Sequence, residues 1–146
     1  VTAAVRQHGS ALECAADWLT ADREVVTAAV QQCGMALRFA AAELQADQAV
    51  TLAAVQQDWQ ALTHAAPAMA ADPDIILAAM RRYWGAFQLA APELKSNREM
   101  VLRCLQKDWR VLMFASKELR ADREVTLAAV RRHGLALQLA SQKLQE

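Results

Sequence analysis

The chain has 146 residues, with 16 basic and 16 acidic side chains giving a formal net charge of zero, and it is 55% hydrophobic but only 5% aromatic. That length suffices to bury the core of one ordinary domain, while four glycines and three prolines are too few punctuators for a sandwich or barrel of short strands. Alanine, leucine, glutamine, glutamate and arginine, all good helix formers, dominate, so the predicted class is all-α.

A gapless period of 25 residues organises the chain. Residues 1–20 form an opening unit that starts inside its first helix, because Val1-Thr2-Ala3-Ala4-Val5 matches Val26-Thr27-Ala28-Ala29-Val30. Units at 21–45, 46–70, 71–95, 96–120 and 121–146 follow in register. In each, a short polar residue (Asp22, Asp47, Asp72, Asn97, Asp122) is placed to cap the first helix by accepting from the free amides of its opening turn. Glu24, Asp74, Glu99 and Glu124 then meet the positive end of the helix dipole, and Pro73 falls where its missing N–H costs nothing. The helix is predicted to run about ten residues, with Val25, Val26, Ala29 and Val30 exemplifying its buried stripe. Gly9, Gly34 and Gly134 are read as left-handed stops at its end.

The second helix of each unit carries Leu37, Leu62, Phe87, Leu112 or Leu137 as its expected interior residue. Pro67 and Pro92 would break it, and Ser116 and Ser141 stand just before the proline position. The second helix is therefore predicted to span six or seven residues, followed by a separate final turn. Helices this short are marginal alone. Alanine pairs such as Ala53-Ala54 and Ala78-Ala79 allow close approach, so each unit is expected to stack on its neighbours. The expected fold is an α-solenoid of about six helix-turn-helix repeats in a single domain. At about 9–10 Å per layer, it would form a rod on the order of 55 Å.

The polar residues offer little chemistry. There is no G-x-S-x-G, glycine-rich phosphate loop, H-E-x-x-H or carboxylate pair outside the helix openings. No catalytic residue, cofactor site or metal site is expected, and the chain is read as not an enzyme. The column His8, Cys33, Asp58, Tyr83, Asp108 and His133 could bring His8 and Cys33 about one layer apart, but a site needs three or four converging ligands. Exposed helix ends explain the column better. His64 is read as a partly buried histidine, and Cys14 and Cys104 as small core residues. Three cysteines without a C-x-x-C spacing argue for an intracellular, reducing compartment, with cytoplasm or organelle left open. No apolar run reaches the roughly 18–20 residues of a bilayer span, and no leader is visible, although the chain begins at Val1 rather than Met.

Two features suggest a surface for recognition. Trp59, Trp84 and Trp109 recur at strict spacing, either filling the gap between paired helices or lining an aromatic strip. Arg81, Arg82, Lys107, Arg131 and Arg132 recur at one helix end, where they complement the dipole or meet an acidic partner. Trp18 stands apart, at a position usually held by glutamate. Charge is also graded along the chain. Residues 1–70 carry three basic and seven acidic side chains, net −4, and residues 71–146 carry thirteen and nine, net +4.

The pattern D-R-E-V-x-x-A-A-V-x-x-x-G-x-A-L-x-x-A-S/A-x-E-L, nearly complete at residues 121–141, resembles the repeat family known as domain of unknown function 4116. The likeness extends over all six units. It implies tandem helical repeats within longer proteins and carries no established activity or catalytic residue. The three tryptophans replace the glycine of that pattern, and Arg103-Cys104 replaces its alanine pair.

The expected function is that of a non-catalytic scaffold for protein–protein interaction, in one version an accessory, peripheral subunit of a large organellar or membrane complex. Neither end shows the polar capping unit that a free solenoid needs, which implies a longer array or partners over the ends. The alternative is a ligand- or nucleic-acid-binding module using the Trp/Arg edge. Nucleic acid is the poorer partner, since a neutral chain lacks a broad basic footprint.

Overall fold

A computed structural model describes residues 9–14 and 16–140. The first helix expected of the opening unit, His8 and the Ser141 cap lie outside the described residues. Every described regular element is helical. The chain gathers into two compact units, Val1–Leu89 and Ala90–Glu146. Their boundary falls inside the fourth repeat, between its second leg and its closing turn.

Each repeat has three parts rather than two. The first leg is an α-helix: Arg23–Gln32, Gln48–Gln57, Pro73–Arg82, the shorter Arg98–Leu105, and Arg123–Arg132. All five have the expected cap. Asp22 accepts from the amides of Glu24 and Val25, Asp47 from Val50, Asp72 from Asp74 and Ile75, Asn97 from Met100, and Asp122 from Val125. The stripe points inward, with Val26, Ala29 and Val30 fully buried and Val25 nearly so. The equivalent Ala54, Ala79 and Ala129 are also fully buried, as is Cys104, which substitutes for this alanine in the fifth repeat.

The second leg has the predicted length but is a 3₁₀-helix of six residues: Gly34–Phe39, Trp59–His64, Trp84–Leu89, Trp109–Phe114 and Gly134–Leu139. Three residues per turn stack positions i and i+3 on one line. Gly34, Leu37 and Ala40 are accordingly all buried. A separate closing turn follows, α-helical at Ala42–Gln45, Pro92–Ser96 and Lys117–Arg120 and 3₁₀ at Pro67–Ala71. Pro67 and Pro92 open theirs, and Ser116 Oγ caps the third by accepting from the Leu119 amide.

The glycines do not act as left-handed stops. No described residue has positive φ. The first leg instead ends on an extended residue, with φ near −143° at Cys33 and Asp58, −153° at Tyr83 and −155° at His133. The 3₁₀-helix starts immediately afterwards, so the bend requires no left-handed residue. Gly34 serves a different purpose. A Cβ there would lie 2.5 Å from the carbonyl oxygen of Ala54 and 3.0 Å from the Asp58 amide nitrogen, so the next repeat's backbone rides directly on it.

Successive repeats are tied together within each compact unit. In the first, the Ala41 amide donates to Thr20 O and the Ala66 amide to Gln45 O, both at 2.9 Å; in the second, the Ser116 amide donates to Lys95 O at 3.0 Å. Side chains at the start of one first leg add links to the capping residue of the next. Arg23 meets Asp47 at 3.1 Å, Gln48 Nε2 donates to Asp72 at 2.6 Å, and Arg98 reaches Asp122 at 3.4 Å and also pairs with Glu124. Buried Thr51 and Thr126 satisfy their hydroxyls by donating to the carbonyls of Gln45 and Arg120.

Two expected interior residues are not interior. Cys14 is exposed, whereas the larger side chains at the same position, Phe39, His64, Leu89 and Phe114, are half-buried, Phe39 packing against the core cluster. Leu37, Leu62, Phe87 and Leu112 are at most 5% exposed, but Leu137 is 43% exposed, since no described layer lies over the last repeat.

Candidate functional site

The aromatic–basic edge is built where the first leg gives way to the second. The polar column at this bend has a structural role. Asp58 Oδ1 accepts from the Gln60 amide, Asp108 Oδ1 from the Arg110 amide, and His133 Nδ1 from the Leu135 amide, so each caps its own 3₁₀-helix. Asp108 also receives two bonds from the Arg110 guanidinium, at 3.0 and 2.7 Å. Those bonds, with Arg132 nearby, hold its carboxyl below the usual aspartate range. Among the described residues, no three His, Cys, Asp or Glu side chains converge as metal ligands.

The tryptophans are half-buried. In the first compact unit, the Trp59 ring lies 4.9 Å from that of Tyr83, tilted by 34°, and Tyr83 lies 5.5 Å from Trp84. Gly85 makes this possible. A Cβ there would fall 2.3 Å from Tyr83 Cε1, so the tyrosine ring occupies the space a side chain would need. In the second unit, Trp109 stacks on His133 at 4.8 Å with only 11° between the planes. Trp59 and Trp109 are thus each covered by a ring from the following repeat. They neither sink into the core nor line an open groove.

The cations at this bend, Arg81, Arg82, Lys107, Arg131 and Arg132, are exposed. Arg82 Nη2 donates to Gln57 O at 3.1 Å, closing the C-terminal end of the preceding repeat's first leg. The first unit therefore brings Trp59, Tyr83 and Trp84 together, with exposed Arg81 and Arg82 just before Tyr83 in the chain, and the second brings Trp109 and His133 together, with exposed Lys107 two residues before Trp109 and exposed Arg131 and Arg132 just before His133. Such an edge can offer flat apolar rings beside positive charge. No nucleophile is held against a base there.

Sequence reasoning placed Tyr83 only in a possible metal column and overlooked it as the centre of the aromatic group, where it is 41% exposed. Gly85, one of only four glycines, was the available signal. Trp18 belongs to neither ring group and is 70% exposed. His64 is half-buried, and Cys33 is half-buried at the bend. No described helix is long and apolar enough to cross a membrane.

The sequence profile of the family described as "Domain of unknown function (DUF4116)" matches residues 1–45, 22–70, 72–120 and 97–145 in overlapping blocks. The chain belongs to this family. The four DUF4116 blocks each span roughly two of the 25-residue units, so the family is defined on adjacent pairs of the repeats described above. No curated protein and no solved structure matches the chain.

Proposed function

We propose that this DUF4116 chain is a non-catalytic scaffold whose repeats form one continuous α-solenoid presenting an extended surface to a protein partner. The observation that carries the reading is how the polar side chains are used. The recurring aspartates, the asparagine and Ser116 cap helices, and arginines and a glutamine tie one repeat to the next. The half-buried aromatic and exposed cationic groups join no catalytic constellation among the described residues. Ring-and-guanidinium surfaces of this kind are typical anchors of protein interfaces. In this reading the chain acts as an accessory, peripheral subunit of a larger assembly.

Two measurements test it. Small-angle scattering of a continuous stack gives a radius of gyration clearly above the roughly 15 Å of a compact domain this long; a value at or below that refutes the solenoid. Native purification with chemical cross-linking identifies the partner, and Arg81→Glu with Arg131→Glu is expected to weaken its capture while helicity stays unchanged. A partner set untouched by both reversals removes the edge from the interface.

The second reading, a ligand or nucleic-acid site on the same edge, draws support from the stacked Trp109–His133 pair beside Arg131 and Arg132. Anisotropy of a labelled single-stranded oligonucleotide separates the two, because phosphate-driven binding strengthens steeply as salt falls. The scaffold reading expects no such binding at low micromolar protein.

A further inference from the structure

The bend that ends the first leg reads Gln31-Gln32-Cys33-Gly34-Met35 in the repeat at 21–45 and Gln56-Gln57-Asp58-Trp59-Gln60 in the next. At 71–95 it reads Arg81-Arg82-Tyr83-Trp84-Gly85, so two cations, an extra ring and a glycine arrive together. Ending the helix does not require the cations. The equivalent helices Arg23–Gln32 and Gln48–Gln57 carry the same dipole and finish on glutamines, with no basic residue in the last turn. The bend does not require the ring either, because Cys33 and Asp58 adopt the same extended backbone as Tyr83 without one.

Gly85 makes room for that ring. A Cβ there would lie 2.3 Å from Tyr83 Cε1 and 2.8 Å from Cζ, so the tyrosine depends on a residue that weakens its own helix. The ring so seated is not core. Tyr83 stays 41% exposed, resting against the half-buried Trp59 and Trp84. Beside it, the 3.1 Å bond from Arg82 Nη2 to the carbonyl of Gln57 fixes the guanidinium at the bend that leads into Trp59. That bond uses one of several guanidinium N–H groups, and Arg82 remains exposed. Among the described residues no ion pair engages Arg81 or Arg82. Asp58, the carboxylate next to Trp59, turns its Oδ1 to the Gln60 amide instead.

We propose that this bend of the first compact unit holds an acidic, extended segment of a partner protein, its carboxylates paired with Arg81 and Arg82 and an adjoining aromatic side chain laid against Tyr83. Charge complementarity selects the occupant. Guanidiniums match carboxylates in bidentate geometry, and an exposed tyrosine offers an apolar body beside them. Residues 1–89 carry five basic and nine acidic side chains, net −4. The two arginines therefore lack the broad basic track that a phosphate backbone uses. The inference rests on the reading that this edge recognises protein, and it names the chemistry of the partner.

The probe is a short labelled peptide with one phenylalanine between two runs of glutamate, titrated with the whole chain at low salt and followed by anisotropy. Saturable binding that weakens as salt rises is expected. Arg81→Gln with Arg82→Gln supplies what Gln56 and Gln57 supply one repeat earlier, so the fold should hold while binding weakens roughly tenfold or more. Tyr83→Asp, matching Asp58, should weaken it roughly threefold or more with unchanged circular dichroism. Arg131→Gln with Arg132→Gln should stay within about twofold, because position rather than total charge decides. No saturable binding by the wild type overturns the proposal, as does equal binding by the Arg81→Gln and Arg82→Gln double variant. Equal binding of a peptide with glutamine in place of glutamate overturns it too. A single-stranded oligonucleotide that binds more tightly than the peptide, and loses affinity in the same double variant, makes the bend a phosphate site and overturns it likewise. If the peptide fails while Arg81→Glu with Arg131→Glu still weakens capture of the native partner, the acidic segment is refuted and the protein-recognition reading stands.

Discussion

At the level of single residues, the repeat is held by caps whose chemistry can be read directly. Asp122 accepts from Val125, and this bond, together with Arg98, holds its carboxyl below the ordinary aspartate value of about 3.9. A carboxyl depressed in the folded state stabilises above the unfolded pKa and loses that contribution as pH falls through the folded one. Unfolding by urea should therefore show a stability loss below about pH 4, to which Asp108 contributes in the same direction. Asp122→Asn should keep the cap, as Asn97 does, yet fall less steeply in acid. Asp122→Ala should cost roughly 0.5–2 kcal/mol at neutral pH. The cysteines divide as sharply. Burial pushes the Cys104 thiol up to about 11, whereas Cys14 is exposed. A thiol-specific reagent at pH 7.5 should label Cys14 in the native protein and reach Cys104 only after unfolding. The caps were legible in the sequence because a short acceptor before an apolar run has one common use. Gly34 was misread because its reason lies twenty residues away, in the Ala54 backbone that approaches it.

The next scale is the element. The six-residue second leg was legible in length, since Pro67 and Pro92 bound it, but not in type. Over so few residues, a three-residue period and a 3.6-residue period select almost the same buried positions. Two paired comparisons test the packing. Gly34→Ala drives a methyl against the Ala54 carbonyl and should cost about 1–3 kcal/mol, while Gly134→Ala should stay within about 0.5 kcal/mol. Leu62→Ala should cost roughly 2–5 kcal/mol, and Leu137→Ala, already 43% exposed, should cost clearly less. Equal losses at Leu62 and Leu137 in chemical denaturation would show that the buried line of the second leg has been misplaced.

For the whole molecule, the 25-residue register carried almost everything that sequence could reveal, because equivalence of positions transfers each local reading to the next repeat. The division at Leu89 was not legible, since no change of composition marks it. Stability in a repeat chain is largely a sum of local contributions. Leu37→Ala and Leu112→Ala lie in different compact units. Their losses should add to within about 0.5 kcal/mol in a double-mutant cycle, and a larger coupling would make the two units one cooperative body.

The 3₁₀ second legs have a mechanical consequence. At about 2.0 Å of rise per residue against 1.5 Å in an α-helix, six residues in this form stand about 3 Å longer than they would if wound as α. At the Gly34–Phe39, Trp59–His64, Trp84–Leu89, Trp109–Phe114 and Gly134–Leu139 segments, the described repeats thus cover more distance per residue than an all-α hairpin of the same length would.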